Sequence, residues 1–494
     1  MSGAEPAAEG ASAGREAGAG QVAGAGGQGR LLARLDRVPR RAVSRATAIA
    51  GFGLFFVFYC NFDINVSFIQ TCQQVQPGCT PHTAPSWLTA PVALFLVGYM
   101  VGGLLLAPLS DRLGRRRGLL LTLAFGFAGS ALTAVCVDYG VFVLGRAITG
   151  VGMGGTLAVA NTYIGEIAPT SARARYTALS FVLCALGATC GIGLGLIGTT
   201  EPAAFPAGLP FALGGPVSAD GWRVVHGLAA VFGAVALVAA RSLPESPRWS
   251  LEHGRHEEAE GVVSTLERRV RGPLPEPEPA AEFEAPEHPE GGAAYRELLT
   301  DRSYRRRVLL LIAMWFTGYA TVFGYSTGST VVLAGLGFTA PVAGMISAVG
   351  GLGFLVQGLF SARWSEALER RYWLPVGAVL VLLGAVLIGV LGTNIAWAFV
   401  GSFVLFFGFN VWVPPTFALS AESFPTRVRS AGFGLVDGIG VLGGAAGVLV
   451  IAPLVPQMRP LPALLLLSAF LVVAAVLAQF APRTRNRSLE DVSP

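Results

Sequence analysis

The sequence predicts an all-α polytopic membrane protein, with twelve transmembrane helices in two pseudo-symmetric six-helix halves. Three observations carry that prediction. Of 494 residues, 53% are hydrophobic and only 13% charged, at a mean hydropathy of +0.59. A water-soluble chain of this length cannot hide so much apolar surface. Twelve stretches reach the length that a helix needs to cross a hydrocarbon core of about 30 Å, roughly 20 apolar residues. The octapeptide Glu-x-x-Pro-Thr-x-x-Arg occurs twice, 256 residues apart, at Glu166 to Arg173 and at Glu422 to Arg429, each time where an apolar run ends. A motif repeated at half the chain length marks two related halves, and charge at the end of an apolar run marks a membrane boundary.

Taken in order, residues 1–45 read as a disordered cytoplasmic tail. Its first 29 residues are a Gly/Ala/Glu/Ser tract with no apolar core to fold around, and no cleavable signal peptide follows. The first half, 46–249, carries spans at 47–71, 86–109, 118–136, 140–163, 176–199 and 222–243. The second half, 306–482, carries spans at 307–334, 340–361, 374–392, 396–420, 430–453 and 461–481. Between them, 250–305 is a cytoplasmic loop. Residues 251–270 have the pattern of an amphipathic helix, while 273–292 are acidic, proline-rich and read as a mobile joint. Residues 483–494 form a second cytoplasmic tail.

All 35 basic residues are arginine, and they gather in alternate links. Arg112, Arg115, Arg116 and Arg117 lie in one; Arg173 and Arg175, Arg363, Arg370 and Arg371, Arg427 and Arg429, and Arg483, Arg485 and Arg487 lie in the others. The positive-inside rule puts these links and both termini in the cytoplasm, for a multi-pass protein of the cell membrane. An odd span count would scatter the arginines over both sides. The net charge of +5 is therefore a topology signal and not a nucleic-acid footprint. Two related helix bundles in a membrane are the architecture of a secondary transporter, whose halves rock about a site between them. The expected partners are a small organic solute, protons and the lipid bilayer, with no nucleic acid, no cofactor and a monomeric state.

Several short matches point elsewhere and fail on context. Gly150-Val151-Gly152-Met153-Gly154-Gly155 fits G-x-G-x-x-G, but no strand precedes it and it lies inside the fourth span. Glycines at that density let membrane helices approach closely. Gly324-Tyr325-Ser326-Thr327-Gly328 fits a hydrolase elbow inside the seventh span. The only histidine in any span, His226, sits near the outer edge of the sixth, so a serine there has no base. There is no Walker A motif and no Cys/His spacing for a metal, so the chain is not expected to be an enzyme. Cys72 and Cys79 flank a short outer loop and are candidates for a disulfide, with Cys136 at the same face as a competitor.

Between spans two and three stands Ser110-Asp111-Arg112-Leu113-Gly114-Arg115-Arg116-Arg117. A plain positive anchor needs neither the aspartate nor the turn glycine. The loop reads instead as part of a cytoplasmic gate, with Asp111, Arg115, Arg116, Glu166, Arg173, Glu245, Glu422 and Arg429 as its members. In this reading Asp111 caps a helix and the arginines pair with Glu166 and Glu422; the wider network and its part in holding the outward-open state are what the resemblance of this loop to a known family implies.

The same loop resembles the signature of the major facilitator superfamily, G-x-x-x-D-R-x-G-R-R, with Ala107 in place of the first glycine. The run Gly145-Arg146-Ala147-Ile148-Thr149-Gly150-Val151-Gly152 leading to Glu166-Ile167-Ala168-Pro169 is similar to the sugar porter subfamily. So are Pro244-Glu245-Ser246-Pro247-Arg248-Trp249 and the segment Glu422 to Arg429. Trp412-Val413-Pro414 stands where that subfamily has Trp-Gly-Pro. Organic-ion and aromatic-acid transporters share much of this set. The resemblance spans about 47–481 and is more specific for the superfamily than for a substrate.

One departure bears on the substrate. Sugar porters resembling this chain carry Gln-Gln-x-x-Gly-x-Asn on the seventh helix, where this chain reads Met314-Trp315-Phe316-Thr317-Gly318-Tyr319-Ala320. A further family glutamine falls at Phe181. A polyhydroxyl ligand here would leave its hydroxyls desolvated and unpaired, at roughly 1–3 kcal/mol each. An aromatic or otherwise apolar solute suits such a lining better. Trp412 matches a family substrate position and Trp315 a lost glutamine; Tyr319, Tyr325, Asn410 and Gln357 join them as substrate candidates by helix and depth. The plain alternative for all six is packing.

Asp63 in the first span and Arg146 in the fourth are both costly to bury alone. At ~1.5 Å of rise per residue they lie about 12 and 8 Å below the outer ends of their helices, close enough in depth to pair. Proton-coupled sugar porters resemble this chain at both positions. An arginine partner favours a charged carboxylate and loss of water favours the neutral acid, so a conformational change can load and release a proton. The alternatives are a fixed salt bridge, and, for the whole chain, a proton-driven exporter of hydrophobic compounds. Exporters of this kind place Gly-Pro in the fifth helix, whereas Gly187 to Gly195 is glycine-rich without proline, which favours symport. Asp437 on the eleventh span is a weaker second proton site.

Overall fold

The computed structural model describes residues 30–38, 40–169, 173–205, 207–214, 219–268, 270, 293–326, 329–365, 367–425, 428–451, 454 and 457–485. Among them there is no strand, and twelve helices are long and apolar enough to cross a membrane. In the first half these are α1 (Val43–Phe62), α2 (Ala84–Leu113), α3 (Arg115–Val135), α4 (Tyr139–Ile167), α5 (Leu179–Thr199) and α6 (Gly221–Ala240). In the second half they are α7 (Arg302–Ser326), α8 (Ala340–Trp364), α9 (Arg370–Leu391), α10 (Ile395–Glu422), α11 (Ala431–Val450) and α12 (Pro460–Ala478). The chain is a multi-pass membrane protein. Exposed valines and leucines such as Val231, Val235, Val379, Leu383 and Val473 face outward from the bundle, where lipid tails solvate them without cost.

Packing follows the predicted duplication. Within the first half α3 and α2 both lie on α4, α1 lies on α5, and α3 on α6; within the second, α10 packs on α8 and α9, and α12 on α7 and α9. The halves meet chiefly through α5 against α8 and α2 against α11. Exchanging the halves turns α2 into α8 and α11 into α5, so one interface maps onto the other. The G-x-G-x-x-G run finds its role in the α2–α4 contact. A Cβ on Gly150 or Gly154 would run into the backbone carbonyls of Phe95 or Tyr99, so the helices approach backbone to backbone.

Several spans are not single rods. α1 is interrupted at Asp63 and continues as Ile64–Val75, and α7 resumes as Ser329–Gly335. α10 breaks at Trp412, where Pro414 and Pro415 cannot donate to the preceding turn. α2 contains a π-helical turn at Gly102–Leu106. At the end of the bundle away from the termini, the α1 continuation meets the α7 continuation through Asn65. Its Nδ2 donates to the Ser326 carbonyl and to Ser329 Oγ at 3.0 Å, and its Oδ1 accepts from Thr330 Oγ1 at 2.9 Å. At that same end Cys72 and Cys79 are bonded, with Cα atoms 5.9 Å apart, and Cys136 is a free buried thiol.

The tail expected to be disordered over 1–45 needs correcting in its last third. Residues 30–36 are helical, and α1's helix already begins at Arg40. Leu31, Leu32 and Leu35 are buried, and Arg34 pairs with Glu260 at 2.6 Å and with Glu267 at 2.7 Å. Both partners sit on the helix His256–Arg268, which buries Ala259, Val263 and Leu266 as the amphipathic pattern of 251–270 required. The composition of the first 29 residues masked a leucine stripe that has a surface to dock on. Residues 1–29, the proline-rich stretch 273–292 and 486–494 lie outside the described residues.

Candidate functional site

Between the halves lies a cavity. Six phenyl rings line it, Phe58 and Phe62 of α1, Phe181 of α5, Phe323 of α7, Phe354 of α8 and Phe417 of α10. Its polar groups are few: Asn61, Tyr99, Tyr319, Gln357 and Asn410. Gln357 Nε2 is engaged by Ser361 Oγ at 2.6 Å, whereas the buried Oδ1 of Asn61 has no partner among the described residues. Tyr99 and Tyr319 donate their hydroxyls to the two oxygens of Asp437, at 2.9 and 2.7 Å. With their protons committed to Asp437, the phenols can offer a solute only lone pairs. Tyr99 belongs to the first half and Asp437 to the second, so this contact bridges the interface.

Of the predicted substrate residues, Tyr319, Gln357 and Asn410 line the cavity. Trp315, Trp412 and Tyr325 do not. Trp412 is fully buried, wedged where a Cβ on Gly318 or Gly377 would come 2.6 or 2.7 Å from its ring, and its centroid lies 5.2 Å from that of Trp315. Trp315 is held by Ser420 Oγ at 2.8 Å and by contacts with Tyr319 and Phe417. The two tryptophans form a wall behind the cavity. Tyr325 packs on Phe406 outside it. The motif matched a position on the helix, while the ring is packed against Gly318, Gly377 and Trp315.

The predicted pair on the first half is made. Arg146 Nη1 donates to Asp63 Oδ1 at 2.9 Å and to the Cys60 carbonyl at 2.6 Å, with both side chains buried and the guanidinium over the Phe95 ring. A third residue joins them. His226 Nδ1 lies 2.8 Å from Asp63 Oδ2, in a pocket shared with Phe142 and Trp222. Asp63 follows directly on Asn61 and Phe62, which face the cavity, so carboxylate and cavity share one turn of α1.

The model for the sugar (and other) transporter family matches residues 46–494. This chain belongs to that family. Among its relatives, the glucose transporter GlcP of Staphylococcus epidermidis is 28% identical, over 81% of this chain and 86% of its own length. The niacin transporter NiaP of Acinetobacter baylyi is 24% identical, over 86% and 91%. The xylose transporter XylE from E. coli, in a partially occluded inward-open conformation, matches at a TM-score of 0.68 and 16% identity, over 91% of this chain and all of that one. At that identity the likeness establishes the fold, the twelve-helix architecture of the major facilitator superfamily. The relatives are carriers of small solutes, not enzymes.

In this sugar-transporter-family chain the terminal-end charges fall into two separate groups. Arg115 binds Glu166 at 2.8 Å and also contacts Asp111. Glu245 accepts from the Arg116 backbone N–H at 3.0 Å, and Trp249 Nε1 donates to the Asp111 carbonyl at 2.6 Å. Gly114 makes the turn at φ +102°, where a Cβ would collide with Glu245. Glu422 is paired with Arg370 of its own half, by two bonds of 2.7 and 2.6 Å. The expected pairing of Glu422 with Arg115 or Arg116 is therefore not present in this state. Among the described residues no ion pair joins the halves at this end; the side chains of Arg173 and Arg429 lie outside them. Sequence reasoning overlooked Arg370 as the partner, Asn65 as a cross-half contact and His226 at the carboxylate. Only the last had a signal, as the single histidine within a span.

Proposed function

We propose that this protein moves a small organic solute with an apolar or aromatic body across the cell membrane by alternating access, in symport with protons. One observation carries the reading: a cavity between the halves, lined by phenyl rings, adjoins a buried pair of Asp63, next after the cavity-lining Asn61 and Phe62, with Arg146 of α4. Support comes from XylE, described in one of its structures as a proton:xylose symporter, and from relatives named for glucose and for niacin. The lining disfavours a hexose, because few donors and acceptors meet its hydroxyls. Arginine-rich links place both termini in the cytoplasm. The contacts of Asn65 close the outer end, and the cytoplasmic charges pair within each half, an arrangement that fits an inward-facing state. Glu422 and the Asp111-to-Arg116 loop regroup across the interface in the opposite state. The protein acts as a monomer.

The test is transport in proteoliposomes. A thermal-shift screen with D-glucose, D-xylose, nicotinate and nicotinamide first selects a bound solute. Asp63→Asn then loses accumulation driven by a pH gradient while keeping binding and exchange of that solute. Undiminished accumulation in the variant would remove Asp63 from the coupling.

A further inference from the structure

His226 has no role in the motifs of the chain, yet it is one of the most enclosed polar groups in the molecule, 1% exposed on α6. Its Nδ1 lies 2.8 Å from Asp63 Oδ2, the oxygen that Arg146 leaves free. A charged carboxylate oxygen only accepts, so Nδ1 carries the proton of the neutral imidazole and donates it. That leaves Nε2 as a bare lone pair, and this atom is buried with no partner among the described residues. A basic nitrogen with nothing to accept from, fixed by its other nitrogen to a carboxylate, is the entry to a two-atom proton path.

We propose that His226 is a member of the proton-carrying unit and that the loaded proton is held jointly by His226 and Asp63. A proton taken up on Nε2 gives an imidazolium. Passing the Nδ1 proton to Asp63 Oδ2 then leaves a neutral imidazole protonated on Nε2 and a neutral carboxylic acid, one proton gained overall. Release removes one proton from the same pair. In the loaded form Arg146 faces a neutral acid and keeps only the Cys60 carbonyl as a strong acceptor, so its tie between α4 and α1 is loosened. The loaded unit is the one free to change conformation. His226 lies five residues from the start of α6, about 7.5 Å along the helix, on the side of the bundle where a proton from outside arrives.

His226 lies against Asp63, Phe142 and Trp222, with further polar groups one contact away. α1 brings Asp63, Tyr59 and Cys60, with the Tyr59 hydroxyl donating to the Val225 carbonyl beside it. α4 brings Arg146, α5 brings Cys190 near Tyr59, and the end of α3 brings Cys136, whose carbonyl accepts from Arg223. Among the described residues, Asp63 is the carboxylate in hydrogen-bond contact with the His226 ring.

The inference rests on Asp63 being the coupling carboxylate, and the experiment separates the two. It needs no substrate. The purified protein in detergent is titrated with acid while infrared difference spectra follow the carboxylic-acid C=O band of Asp63, identified by its loss in Asp63→Asn. In parallel, nitrogen-15 histidine spectra follow the His226 ring, identified by its loss in His226→Gln. The expected result is that the ring changes state together with the Asp63 band, and that His226→Gln moves the midpoint of the band by about one pH unit or more. If His226→Gln does not fold, replacing His82, His253, His256 and His288 leaves the His226 ring as the sole histidine signal, and its titration beside the Asp63 band decides. A ring that keeps one neutral form through the Asp63 transition overturns the role of His226 and leaves Asp63 coupling intact. An Asp63 band that never titrates overturns both.

Discussion

Each half of the molecule buries one aspartate in its spans, and the two are solved in opposite ways. Asp63 is surrounded by its own half, with Arg146 on one oxygen and His226 on the other. Asp437 meets no cation among the described residues; two phenols satisfy it, and one of them, Tyr99, comes from the other half. The first is a self-contained charge balance that survives when the halves separate. The second is satisfied only while α2 lies against α11. The first set of contacts lies within one half, whereas the second depends on the two halves being together.

The comparison can be broken most forcefully at Arg146. Arg146→Met leaves the Asp63 charge buried without its main partner and is expected to destabilise by about 3–5 kcal/mol. Adding Asp63→Asn should recover most of that loss in thermal unfolding, because the uncompensated charge is then gone. A double variant as unstable as the single would mean that Arg146 matters for packing alone.

Next in size is the clasp on Asp437. Tyr99→Phe removes one bond to a charged group, about 1.5–3 kcal/mol, and removes it only from the state in which the halves meet. Spin labels on α2 and α11 should show the separated arrangement gaining population. An unchanged distance distribution would make Asp437 a local feature of the second half. Asn65→Ala tests the contact at the end away from the termini in the same way, at about 1 kcal/mol per bond lost, and it should raise accessibility of a cysteine placed at Ser347 from that end.

The smallest effect lies outside the membrane. Hydrogen bonds from Arg34, then from Arg37, hold the Glu267 carboxyl below its usual range, against an opposing effect of burial. A depressed carboxylate contributes stability above its unfolded value of about 4.3, and that contribution disappears as pH falls through the lower folded value. Protection factors of the amides in residues 30–36, corrected for the intrinsic pH dependence of exchange, should therefore fall on going from neutral pH to below about pH 4. Glu267→Gln should show the lower protection already at neutral pH.

Much of this was legible beforehand because it depends on the solvent. Lipid demands about twenty apolar residues per crossing, so the twelve spans, their duplication and the arginine-rich links stood in the sequence, although the predicted ends of the first and seventh spans, 71 and 334, overran the breaks after Phe62 and Ser326. The Asp63–Arg146 pair was legible for the same reason, since a lone charge in a span needs a partner at its own depth. Trp315, Trp412 and Tyr325 pack outside the cavity because a position along a helix does not fix which way its ring faces. Arg370 was missed as the partner of Glu422 because several arginines lie at the same end and only packing within the half selects among them.

The sequence by itself determined that this is a duplicated, twelve-span carrier with one charge pair in its first half, because hydropathy, charge placement and motif spacing are properties of the chain alone. The tertiary structure decided which side chains face the cavity, that His226 stands on Asp63, and that Asp437 is satisfied across the interface. Those facts depend on helix rotation and on the meeting of residues as far apart as Tyr99 and Asp437, and no local pattern encodes either one.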